Sequence, residues 1–223
     1  MRVLVLSAHP DDETLGMGGT MLAHQAAGDS VHWLVATRAH EPVWSPETIA
    51  RKTREVEQVA AAYGVASLNW LDFPTAQLDT VSLAELVAAV RRAVDENHPD
   101  TVYVTHPGDV HTDHARLFDA TVAALRAFRA GREGVRRILC YETLSSTDAA
   151  PPQRSPRFTP NVYRDVSPYL ERKLEIMAHY VSEAQADPLP RGASAIRALA
   201  RYRGATVGVE YAEAFELVRE VIV

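Results

Sequence analysis

The segment Ala8-His9-Pro10-Asp11-Asp12-Glu13 follows directly on the apolar run Val3-Leu4-Val5-Leu6. A second apolar run, Val102-Tyr103-Val104, opens into His106-Pro107-Gly108-Asp109-Val110-His111-Thr112-Asp113-His114. Histidine and aspartate clustered at the ends of two buried strands supply the nitrogen and oxygen donors of a divalent-metal site. Pro10 disfavours helical backbone at His9, so His9 is extended before the chain turns, and His9 and Asp12 can aim at one point. His114, at or near a helix start, completes a set of two nitrogens and one oxygen. Three protein ligands with open positions describe a catalytic zinc site, one ion per chain. The ion lowers the pKa of water toward about 7. Asp11, adjacent but not needed as a ligand, is the candidate general base. His111, three residues before His114, reaches the same site and, protonated, can stabilise an oxyanion. Asp113 is placed as its partner, orienting His111 and raising its pKa.

Other residues read more plainly. His106 is assigned a structural role, and Asp109 a cap or turn in its loop. Glu13 favours the start of the next helix through the helix dipole. Gly16-Met17-Gly18-Gly19 after a first strand raises the alternative of a dinucleotide-binding turn. The G-x-G-x-x-G spacing is not met, however, and carboxylates in the turn would repel a pyrophosphate. The glycines read instead as close helix–sheet packing. A two-His, one-carboxylate iron oxygenase triad is the other competitor, since His111-Thr112-Asp113 has the H-x-D form. That triad sits in an antiparallel barrel, whereas this chain alternates strand and helix.

The elements that must position these residues follow from periodicity. Strands are expected near 2–7, 31–37, 67–72, 101–106 and 137–143, and helices near 14–27, 46–63, 82–97 and 113–130. Gly28-Asp29, Gly64 and Asn97-His98-Pro99 stop the first three helices. The alternation predicts an α/β, Rossmann-like, mainly parallel sheet of order 3-2-1-4-5 with helices on both faces. In that order the ligand crevice lies beyond the ends of strands 1 and 4, where the two clusters sit. A long proline-rich loop at 145–161 is expected to border the mouth of the site. A late strand at 162–166 and helical patterns at 168–181, 191–203 and 211–220 form a C-terminal extension.

Bulk properties narrow the class. The 223 residues are read as one domain, 1–223. Hydrophobic residues make up 47% and charged residues 23%, ordinary for a globular protein, and the net charge of −6 argues against nucleic acid or an anionic membrane as partner. No apolar run approaches the roughly 18 residues of a spanning helix, and no signal-peptide plan precedes the first strand. One cysteine, Cys140, lies in an apolar run and reads as a buried strand thiol; a disulfide framework is excluded and a reducing cytoplasm fits.

The segments AHPDDETLGMGGT (8–20) and HPGDVHTDH (106–114) resemble the two signature motifs of the LmbE/PIG-L family of zinc-dependent N-deacetylases. The likeness continues in PNVYRDVS (160–167), the helix from Lys173 to Ser182, and YAEAF (211–215). It implies hydrolysis of an N-acetyl amide on a small, N-acetylglucosamine-containing molecule. His9, Asp12 and His114 match the metal ligands, for zinc or iron(II). Asp11 matches the general base, and His111 with Asp113 the pair that assists at the tetrahedral intermediate. Relatives of this kind often form trimers or hexamers. They also often carry a sugar-contacting arginine in the second helix, where this chain has Lys52 flanked by Arg51 and Arg54. Lysine lacks the planar guanidinium fork.

Overall fold

β1 (Arg2–Ser7) is apolar on both phases because both of its faces are covered. Val3 and Val5 join a core cluster on one face, and Leu4 and Leu6 join another on the opposite face. In the computed structural model, residues 1–126, 134–151 and 156–222 are described. The chain continues as α1 (Asp12–Ala26), β2 (Ser30–Arg38), α2 (Pro46–Tyr63), β3 (Ser67–Pro74), α3 (Leu83–Asn97), β4 (Thr101–Thr105) and α4 (Thr112–Ala124). It ends with β5 (Arg137–Tyr141), β6 (Val162–Asp165), α5 (Leu170–Met177), α6 (Ala193–Val207) and β7 (Ala212–Glu220). The sheet order is β3-β2-β1-β4-β5-β7-β6. Strands β1 to β5 pair in parallel, in the expected order, and β7 pairs antiparallel with both β5 and β6. No helix among the described residues is long and apolar enough to cross a membrane.

The helices stop where the sequence indicated. Gly64 ends α2 at φ 66°, and His98 ends α3 at φ 44°. The expected continuation of the fourth helix through residues 127–130 lies outside the described residues, as do residues 152–155 of the proline-rich loop.

The segment 211–220 corrects the expectation of a helix. Ala, Glu and Leu give it a helical propensity, but it forms β7 between β5 and β6. Tertiary pairing overrides the propensity: its carbonyls and amides complete the edge of β5, and Ala212, Ala214 and Phe215 are buried. The C-terminal segment therefore extends the sheet rather than standing apart from it.

Gly16 of α1 packs against the sheet, whereas Gly18 faces Tyr63 of α2 and Gly19 faces Val166. A Cβ on Gly16 would lie 2.2 Å from the Tyr141 ring and 2.6 Å from the Glu142 carbonyl oxygen. The helix breaks at Met17 (φ −148°). Two buried charges hold the break. Lys173 Nζ donates to the Leu15 carbonyl (2.9 Å) and to Glu213 Oε1 (2.7 Å). Glu213 also accepts from the Gly19 (2.8 Å) and Thr20 (2.6 Å) amides, which start the second half of the helix.

Candidate active site

β1 delivers His9, and its parallel neighbour β4 runs into the loop that delivers Asp109, His111, Asp113 and His114. The topology thus joins the two clusters at the carboxyl ends of adjacent strands, where the strand order reverses. The chain turns sharply after Pro10: Asp11 has φ 93°, in the left-handed region uncommon for a residue with a Cβ. That turn starts α1 at Asp12 and leaves the His9 amide donating to Asp12 Oδ2 (2.8 Å).

His9 Nδ1 lies 3.3 Å from His114 Nε2 and 3.6 Å from Asp12 Oδ2, and His114 Nε2 lies 3.3 Å from Asp12 Oδ1. An ion bonded at about 2.0–2.1 Å in a tetrahedron has ligand-to-ligand edges of about 3.3–3.4 Å. The donor set fits such an ion. The far nitrogen of each histidine is held by a carboxylate. His9 Nε2 bonds Asp113 Oδ2 (2.9 Å), and His114 Nδ1 bonds Asp109 Oδ2 (2.5 Å). Asp113 is fixed in turn by the amides of Ala76 (2.8 Å) and Leu78 (3.0 Å). Carboxylates that fix tautomer and ring orientation are characteristic supports of metal-binding histidines.

The pairing expected between Asp113 and His111 is therefore corrected. The Asp113 carboxylate belongs to His9, and it is its backbone amide that donates to His111 Nδ1 (3.3 Å). Asp113 stands at the second position of α4, and its side chain reaches His9 and the Ala76 and Leu78 amides, while His111, the residue before the helix, faces the cleft. Burial, then the neighbouring His9 and His114, pushes His111 down to about 4. With Nδ1 accepting, the neutral ring carries its proton on Nε2. In this arrangement the neutral ring offers its Nε2–H as a donor. His9, His111 and His114 each place a ring nitrogen within 4.8 Å of the others, but a protonated Nε2 is no ligand.

Asp11 is nearly buried, and burial with the charges of Asp12 and Glu183 raises its carboxyl well above the ordinary range, against the opposing charge of Arg191. A carboxylate so raised is a better proton acceptor near neutrality. Arg191 Nη1 donates to Asp11 Oδ2 (2.9 Å) and Glu183 Oε2 (2.8 Å). Neither Arg191 nor Glu183 was legible beforehand: each is an ordinary surface-type residue in a polar stretch. Beneath the site, Glu13 accepts from Tyr180 (2.8 Å) and Thr14 (2.6 Å), so it braces the turn from inside the core as well as standing in the first helical turn.

A cleft of about 250 Å³ opens over these residues, walled by Trp44, Trp70, Lys52, Ser145, Ser146 and Arg191 among others. Of the three basic residues weighed in α2, only Lys52 lines it, ion-paired to Glu183. Ser145 and Ser146 bring the start of the proline-rich loop to the rim, and the Ser146 carbonyl accepts from Val110 (3.2 Å). His106, buried, contributes nothing to this cleft.

A Rossmann-like sheet with a His/Asp/His donor set at its switch point, the Arg191-paired carboxyl of Asp11 beside it and a cleft above defines a class of α/β folds with a candidate metal site. Within that class the chain belongs to the PIG-L family (GlcNAc-PI de-N-acetylase), whose model matches residues 4–125. It is 31% identical over 160 residues to a 1D-myo-inositol 2-acetamido-2-deoxy-alpha-D-glucopyranoside deacetylase of Kineococcus radiotolerans, covering 56% of this chain and 44% of that one. The match thus spans less than half the length of that relative. A diacetylchitobiose deacetylase of Thermococcus kodakarensis is 25% identical over 97% of this chain and 83% of its own. Among solved structures, the conserved protein TT1542 of Thermus thermophilus superposes with a TM-score of 0.79 at 26% identity, over 99% of this chain and 96% of that one.

Proposed function

We propose that residues 1–223 act as one catalytic unit, a zinc-dependent N-deacetylase of a small, N-acetylglucosamine-containing molecule. The observation that carries this reading is the Asp11 carboxyl beside the three-donor set of His9, Asp12 and His114. Those three residues would hold one ion per chain. When bound, the ion polarises the acetyl carbonyl and makes water nucleophilic near neutral pH. Asp11 accepts the proton of the attacking water and passes it to the departing amine. His111, through its Nε2–H, donates to the carbonyl oxygen as negative charge develops there. Asp113 and Asp109 hold His9 and His114 so that the donor nitrogens keep their direction. Trp44 and Trp70 line the cleft, with Arg38 over the Trp70 ring, and aromatic side chains suit the C–H faces of a pyranose ring. The names of the relatives support an acetamido sugar as substrate.

The test is acetate release from a panel of N-acetylglucosaminides, with the metal content of each preparation measured. The wild-type chain is expected to release acetate from at least one member. Asp11→Asn is expected to keep its metal and to lose roughly 10²–10⁴-fold in kcat. Near-normal turnover in that variant removes Asp11 from the mechanism.

A further inference from the structure

Cys140 and Glu216 are direct cross-strand partners in the β5–β7 pair, so their side chains share a face. Val104 is the parallel partner of Cys140, and His106 follows two residues on, at the end of β4. The register alone brings the three side chains together. His106 Nδ1 lies 3.4 Å from Glu216 Oε2 and 3.8 Å from Cys140 Sγ, and Cys140 Sγ lies 3.5 Å from Glu216 Oε2. The geometry points to a second metal site, in which His106 Nδ1, Cys140 Sγ and Glu216 Oε2 hold a divalent ion of the zinc class that bolts β7 to the ends of β4 and β5.

Three features carry this. Two of the three edges match a tetrahedral site, and the third is about 0.2 Å longer: bonds of about 2.0–2.1 Å to nitrogen and oxygen and about 2.3 Å to sulfur give edges of about 3.3–3.6 Å, against 3.4 and 3.5 Å for the two edges at Glu216 Oε2 and 3.8 Å between His106 Nδ1 and Cys140 Sγ. The side chains are also held from outside. His106 Nε2 faces the Pro156 carbonyl (3.1 Å), which requires the proton on Nε2 and leaves the Nδ1 lone pair pointing inward. The other carboxylate oxygen of Glu216 is taken by the amide and hydroxyl of Thr159. This is the arrangement seen at the first site, where each histidine is steered by a partner on its far nitrogen. Finally, the metal-free contacts within the cluster are loose: His106 and Glu216 stand 3.4 Å apart against about 2.7–2.9 Å for a close imidazolium–carboxylate bond, and the Cys140 thiol donates to Glu216 Oε2 at 3.5 Å.

The thiol is poor on its own: burial, then the charge of Glu216, pushes it far above its ordinary value. Binding an ion replaces the thiol proton, which leaves to solvent past the one-fifth-exposed Glu216 side chain. The set contains a soft sulfur and an imidazole, which select zinc over magnesium or calcium. Because β7 also carries Glu213, the ion would fix the strand that caps the two halves of α1.

Cobalt(II) separates the two sites, because only the second supplies a thiolate. Metal-free full-length protein titrated with cobalt(II) is expected to take two equivalents and to show a near-ultraviolet thiolate-to-cobalt charge-transfer band. Cys140→Ser is expected to take one equivalent without the band. His9→Ala is expected to lose the other equivalent and to keep the band, so failure of the first site is read separately from failure of the second. Wild-type protein that takes one equivalent with no thiolate band overturns the proposal, as does a Cys140→Ser protein that still takes two. Glu216→Gln, which keeps the shape of the side chain, is expected to weaken binding of the band-forming ion at least tenfold; unchanged affinity removes Glu216 from the ligand set.

Discussion

The oxygen donors around His9 and His114 do different work according to which nitrogen they face. Asp12 faces the inner nitrogens as a proposed ligand, whereas Asp113 and Asp109 face the outer ones. Asp113→Ala should therefore weaken metal binding rather than alter proton transfer, by about 10–100-fold, the usual effect of a lost outer partner. His111→Ala should leave the metal in place. Metal titration of the two variants decides: equal metal affinity in Asp113→Ala and wild type would return Asp113 to some other role. The metal-free rings also make binding pH-dependent. Burial lowers the pKa of His114, but the charge of Asp12 and the hydrogen bond to Asp109 outweigh it and lift the ring to about 10. His9 is raised too, where burial is outweighed by Asp113 and Asp12. An ion takes only an unprotonated nitrogen, so binding must expel these protons. Affinity should rise with pH up to about 10, where His114 of the metal-free site loses its proton, and fall on acidification. Calorimetry in buffers of different ionisation heat counts the protons, and no release near pH 7 would contradict this protonation of the metal-free site.

At the scale of elements, α1 is the unit that ties the site to the rest of the chain. Its first turn carries Asp12 and Glu13, its middle is broken at Met17, and Lys173 and Glu213 complete the broken ends from α5 and β7. Glu213 serves three donors, two of them backbone amides, so its loss strands more than a charge. Glu213→Ala should cost about 3–5 kcal/mol, the scale of a buried pair broken from one side. Lys173→Met should cost less, because the carboxylate keeps its two amide donors. Urea unfolding of both variants gives the order, and a larger loss in Lys173→Met would mean that the lysine, not the cap, holds the break. The glycines of this helix were legible as close packing from their position after β1. Their partners were not, because Tyr141, Tyr63 and Val166 come from distant parts of the chain. The strand at 212–220 was misread for a related reason: its residues favour a helix locally, and only the open edge of β5 makes a strand the better state.

Over the whole molecule, the parallel half was readable because each strand and helix declares itself within its own window, and the switch-point rule then joins His9 to His114 across the sheet. What could not be read is the part of the site contributed from far away in sequence by polar residues without a pattern. Arg191 is the clearest case. It precedes α6, yet it reaches Asp11 at the start of α1, 180 residues away, and holds Glu183, which in turn holds Lys52 of α2. One guanidinium thus connects the proposed base to the wall of the cleft. Asp11 stands in a left-handed turn uncommon outside glycine, and Arg191 is the cation that fixes its carboxylate there. Arg191→Ala should leave metal content unchanged, since none of its partners is a ligand. It should lower kcat/KM on the best substrate of the panel by roughly 10–150-fold, the equivalent of about 1.5–3 kcal/mol for a lost hydrogen bond to a charged group. Arg191→Lys should recover part of the loss, because both contacts are made by the one nitrogen Nη1 and an ammonium can donate to two carboxylates, though from a differently shaped stem. Steady-state kinetics with metal analysis checks this, and wild-type kcat/KM in Arg191→Ala would reduce the contact to a surface ion pair between two ends of the fold.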